Sequence, residues 1–106
     1  MTTRTSASLK QAFKRFVKLV EPIEDVRHVV AFDDGGIDVF THITRRDEAV
    51  MSQVHHAEFR IMEEYPDLPV LFHVRYLEGK HLDLDRLPPL SYSKDPLAQG
   101  TVRSAG

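Results

Sequence analysis

The chain has no cysteine anywhere in its 106 residues. Disulfides and thiolate chemistry are therefore excluded, and a cysteine-free chain fits a cytoplasmic setting. It has no apolar run near the ~18 residues that a membrane span requires. Its first residues, MTTRTSAS, lack the apolar stretch of a secretion signal. Neither sign of charge dominates, since the formal net charge is only -2. Without clustered Lys and Arg, no binding to nucleic acid is expected. The phosphate-cradling patterns G-x-x-x-x-G-K and G-x-G-x-x-G are both missing. Ser and Thr are mostly terminal, and no nucleophile–base pair stands out. The expectation leans away from an enzyme, and no cofactor is implied.

What is present centres on Val26 to Ile43, VRHVVAFDDGGIDVFTHI. Two β-branched and aromatic runs flank Asp-Asp-Gly-Gly, residue types that tolerate the positive φ of tight hairpin turns. Strands are predicted at 26–32 and 37–43. On the first, Val26, His28, Val30 and Phe32 carry the larger apolar volume and are expected inward. Arg27, Val29 and Ala31 are then expected outward.

A helix is predicted before the hairpin, with Ser8 as N-cap and Gln11 three residues on. Leu9, Phe13, Phe16 and Val20 are its core stripe, and Pro22 ends it. Lys10, Lys14 and Lys18 form a basic row that reads as a solvated face. A second helix is predicted at 45–65, capped by Thr44, with Val50, Val54, Ala57, Ile61 and Tyr65 inward. Phe59 lies nearly opposite that stripe. A third strand, VLFHVRYL, follows at 70–77, then a turn at 78–80. Leu82, Leu84 and Leu87 fit either a short edge strand or one helical turn.

The predicted fold is an α+β two-layer sandwich in the order helix-strand-strand-helix-strand. A hairpin plus a helical crossover gives a three-stranded mixed sheet in a ferredoxin-like layout, with both helices on one face. Residues 1–7 are expected to be flexible, 8–90 to form a single domain, and 91–106 to be a disordered tail.

The layout resembles the soluble C-terminal domain of cation-efflux transporters. VRHVVAF-DDGG-IDVFTHI and YPDLPVLFHV carry the likeness, over Ile23–Tyr76. The transporters' membrane helices have no counterpart here, and only His55 or His56 stands where their helix-borne metal histidine would. The resemblance implies a metal-binding or small-ligand sensor domain as the alternative function.

The residues themselves point first to self-association. The face away from the helices is expected to carry Val29, Phe40 and Leu71 among Arg27, His42, His73 and Arg75, with the Phe59 shoulder beside it. Monomers seldom leave such a patch in water. A homodimerising protein-interaction or regulatory module is the leading expectation, with a further protein partner compatible with the same face. Metal binding by Asp38, His42 and His73 is the alternative, although no compact ligand spacing supports it. The Asp33–Asp38 cluster lacks the register of a calcium loop.

Overall fold

A computed structural model describes residues 2–33, 36–80, 88 and 90–94. The element order is α1 (Thr2–Val20), β1 (Val26–Asp33), β2 (Ile37–Ile43), α2 (Glu48–Glu64), β3 (Val70–Tyr76) and β4 (Leu90–Ser93). The four strands form one mixed sheet in the order β3-β2-β1-β4. β1 is antiparallel to both β2 and β4, whereas β2 and β3 are parallel. That parallel pair requires a crossover, and α2 supplies it.

The fourth strand corrects the expected three-stranded sheet. Leu90–Ser93 pairs with β1 from His28↔Ser93 to Ala31↔Leu90, so the sheet runs past residue 90. Four residues with two serines give too weak an alternation to stand out in a sequence, and the ladder with β1 is what makes them a strand. The reading of Leu82, Leu84 and Leu87 falls outside the described residues, as do Asp34 and Gly35 of the hairpin turn.

Helix boundaries shift for physical reasons. α1 begins at Thr2, so Ser8 lies within it rather than capping it. α2 begins at Glu48, because Asp47 holds an extended backbone (φ -150, ψ 118) and its carboxylate accepts from the Ala49 and Val50 amides. Thr44 is committed elsewhere: its hydroxyl donates to Asp25 Oδ1 at 2.9 Å. The Lys10, Lys14 and Lys18 side of α1 is exposed, as expected of a solvated face.

Both helices pack on one face. Leu9, Ala12, Phe13, Phe16 and Val20 from α1 meet Val50, Val54, Ala57 and Ile61 from α2, over Val26, Val29, Ala31, Ile37, Val39 and Ile43. Among the described residues Phe16 is the largest fully buried side chain, with its ring 5.2 Å from Phe72. α1 packs on the β1 and β4 side and α2 on the β3 side.

Val26 is in the core as expected, but beyond it the predicted faces of β1 are reversed. The β1–β2 register slips between Val26 and His28, a bulge that takes up Arg27. Beyond it Val29 and Ala31 turn into the helix-covered core, while His28, Val30 and Phe32 turn to the other face. One extra residue in a period-2 element moves every following side chain to the opposite side.

Candidate functional site

The helix-free sheet face is built from alternate residues of β1, β2 and β3. The Phe40 ring, on the middle of β2, is its hub. His73 stacks on it at 4.5 Å and 17°, and Phe32 meets it edge-on at 5.8 Å. The Arg75 guanidinium sits 5.2 Å from the Phe40 centroid, a cation–π arrangement. His73 Nε2 lies 2.9 Å from Asp38 Oδ1, which fixes the imidazole over the ring. Further along, the His28 and His42 rings are edge-on at 6.1 Å, and His28 Nδ1 lies 2.7 Å from the Ser93 hydroxyl.

This face has two halves. His28 and Val30 are buried although no helix covers them. Leu71 is 63% exposed and Phe32 43%. Leu71, Phe40 and Phe32 therefore lie on the side where apolar surface meets water, with Asp38, His73 and Arg75 among them. His42 is half-buried, and burial first, then the charges of His28 and Arg75, lowers its pKa to about 4. It is neutral at physiological pH, and its Nδ1 has no hydrogen-bond partner among the described residues.

Of the expected interface residues, Phe40, His42, Leu71, His73 and Arg75 share this face. Val29 does not: it is fully buried beneath the helices. Arg27 does not lie in the regular alternation either, being the residue at the bulge, where its carbonyl accepts from the Lys94 amide at 2.9 Å. Phe32, whose apolar volume predicts an inward place, takes the position expected of Val29 on the face. The signal that would have found it is the spacing Val26, Val29, Ala31, which breaks strict alternation just after a charged residue.

Phe59 lies on α2, 62% exposed, with Met62 45% exposed one turn on. A shallow cleft of about 430 Å³ runs along this side, lined by Arg46, Met51, Ser52, His55, His56 and Phe59. The Tyr76 hydroxyl reaches Met51 Sδ at 3.4 Å, so this flank of α2 adjoins β3. Within it, Glu58 is buried, with Oε1 2.9 Å from His55 Nδ1. Burial pushes the Glu58 carboxyl up, opposed by His55 and by the more distant His73.

The metal alternative is not assembled by this geometry. Asp38 and His73 meet, but His42 turns its ring toward His28 instead. No group of three or more His, Asp or Glu among the described residues has metal-holding geometry. No described helix is long and apolar enough to cross a membrane. Comparison with protein-family models, curated proteins and solved structures finds no match to this chain.

Proposed function

We propose that the protein is a homodimerising interaction module, its contact surface made by the helix-free sheet face and the β3 border of that face. One observation carries this reading. Of the five large apolar side chains that stand exposed among the described residues, Leu71 and Tyr76 are on β3 and Phe59 and Met62 on α2 beside it. Scattered exposed apolar residues mean nothing, whereas several along one border mark a contact. Arg75 and Asp38 supply a polar rim, worth little each while exposed. A chain without cysteine loses nothing by working in the cytoplasm.

Light scattering between 1 and 100 μM tests this. A dimer with a dissociation constant of ~1 μM, equivalent to about 8 kcal/mol, dominates the upper half of that range. A clean monomer at 100 μM overturns the reading.

A further inference from the structure

We infer that two copies join by antiparallel pairing of their β3 strands about a two-fold axis at His73, giving one continuous eight-stranded sheet with the two α2 helices side by side. This rests on the homodimer reading and specifies where and in what register the copies meet.

Among the described residues β3 is an edge strand, and it carries none of the usual protections. Its ladder with β2 is unbroken from Ile37↔Val70 to Ile43↔Tyr76, so it has no bulge. VLFHVRY contains no proline and no lysine. Its one formal charge, Arg75, is drawn over Phe40. Such an edge is a template for another strand. The opposite edge, β4, has four residues among those described. Joining two copies through β3 leaves only these short strands outside, so the assembly closes at two.

The backbone dictates which registers are allowed. The Leu77 amide donates to Ile43 O at 2.9 Å, toward β2. By alternation, Leu71, His73 and Arg75 also bond toward β2. Phe72, Val74 and Tyr76 therefore present their N–H and C=O groups to the open edge, and Val70 its C=O, its N–H donating instead to Leu68 O at 2.9 Å. A symmetric antiparallel pair must match outward groups with outward groups. An axis at His73 does so: Phe72 exchanges two bonds with Val74 of the second copy, and Val70 O accepts from the amide of its Tyr76. The side chains then agree as well. On the helix side Phe72 meets Val74 and Val70 meets Tyr76, all apolar. On the other side Leu71 lies along the stem of Arg75, and the two His73 rings face each other, each held by its own Asp38. An axis at Phe72 sets Tyr76 against Leu68, whose N–H and C=O are already bonded to Tyr65 O and the Val70 amide, and an axis at Val74 sets His73 against Arg75.

The helices fit the same axis. α2 runs antiparallel to β3, as a crossover helix must, with Met51 level with Tyr76. His73 lies three strand residues away, about 10 Å, which is about seven helical residues and reaches Glu58. The charge of His73 does act on the Glu58 carboxyl. A two-fold near Glu58 sets Phe59 of each copy level with Ala57 of the other, at the Phe59 end of the cleft along α2. The border is about 25 Å long and two layers deep, and layers pack roughly 10 Å apart. Its flat projection of about 500 Å² per copy matches the ~1,000 Å² total that specific interfaces exceed.

The cysteine-free chain makes the test clean, because one introduced thiol can cross-link only to another copy. His73 opposes itself in a non-hydrogen-bonded pair, where Cβ atoms approach to ~4.5–5.5 Å, close enough for a disulfide after a small adjustment. Arg75 and its copy lie about 13 Å apart in this register, at ~3.3 Å per residue. Under mild oxidation His73→Cys is expected to form a covalent dimer in high yield and Arg75→Cys to stay largely uncross-linked. Val74→Pro removes an outward N–H that the monomer does not use. With circular dichroism unchanged, it should raise the dimer dissociation constant at least a hundredfold, and Phe59→Glu at least tenfold. Hydrogen exchange on the wild-type chain should show the Phe72 and Val74 amides protected. A wild-type monomer at 100 μM overturns the homodimer reading and this inference together. A wild-type dimer with those two amides unprotected, dissociated by Phe32→Glu but not by Phe59→Glu, overturns the β3 contact and leaves a face-to-face dimer. Equal cross-linking at positions 73 and 75 overturns the register.

Discussion

At the scale of single residues, His42 sets how the fold responds to acid. Its folded pKa is about 4, against 6.5 in an open chain. Between those values the unfolded chain carries a proton that the folded chain refuses, so acid favours unfolding. The stability at stake is whole above pH 6.5 and is lost progressively as pH falls toward 4. At about 1.4 kcal/mol per unit, and discounted for a ring that is only half-buried, the loss is on the order of 1–3 kcal/mol. Urea unfolding at pH 7.5 and pH 5 measures it. His42→Phe, which cannot titrate, should show a shallower fall. An identical fall in both chains would place the acid sensitivity elsewhere. Thr41 and Glu58 also bury an oxygen without a hydrogen-bond partner among the described residues.

At the scale of elements, the start of α2 separates two residues that look equivalent on paper. Thr44 and Asp47 both belong to the capping set, but only Asp47 accepts from α2 amides, at 2.9 and 3.2 Å. Asp47→Ala should lower stability by about 1 kcal/mol. Thr44→Ala should leave the helix start unchanged, since it removes a link between the β2 end and Asp25. Comparing amide protection at Ala49 and Val50 in the two variants checks the assignment. Only the Asp47 variant should lose it. The turn after β3 shows similar local demand: Glu78 and Gly79 both have positive φ, 49 and 85, and glycine meets that demand without a Cβ penalty.

At the scale of the whole molecule, stability is expected to depend on both core and assembly. Phe16 is 1% exposed and joins α1 to β3 through Phe72. Phe16→Ala should cost roughly 3–5 kcal/mol in denaturant unfolding, a large part of the ~5–15 kcal/mol typical of a domain. A loss under about 1 kcal/mol would mean that the site collapses around the missing ring. If two copies form the folded unit, the melting temperature rises with protein concentration. A scan from 5 to 200 μM should show that rise in the wild type and a flat response in Val74→Pro. A flat wild-type response would argue that assembly adds nothing to stability.

The sequence by itself determined the two helices and their inward stripes, the hairpin, the third strand and the placement of both helices on one face. These follow from periodicity, because Leu9, Phe13, Phe16 and Val20 or Val50, Val54, Ala57 and Ile61 allow only one buried side each. It also placed Phe40, His73 and Arg75 on a common face, since no insertion interrupts β2 or β3. Only the tertiary structure decided the rest. The bulge at Arg27 depends on how β1 pairs with β2, and it exchanged Val29 for Phe32 on the face. The fourth strand exists because β1 offers an edge to Leu90–Ser93. Asp38 and His73, 35 positions apart, meet because β2 and β3 run parallel in one register. Register and pairing are properties of two strands at once, and neither strand's residues record them alone.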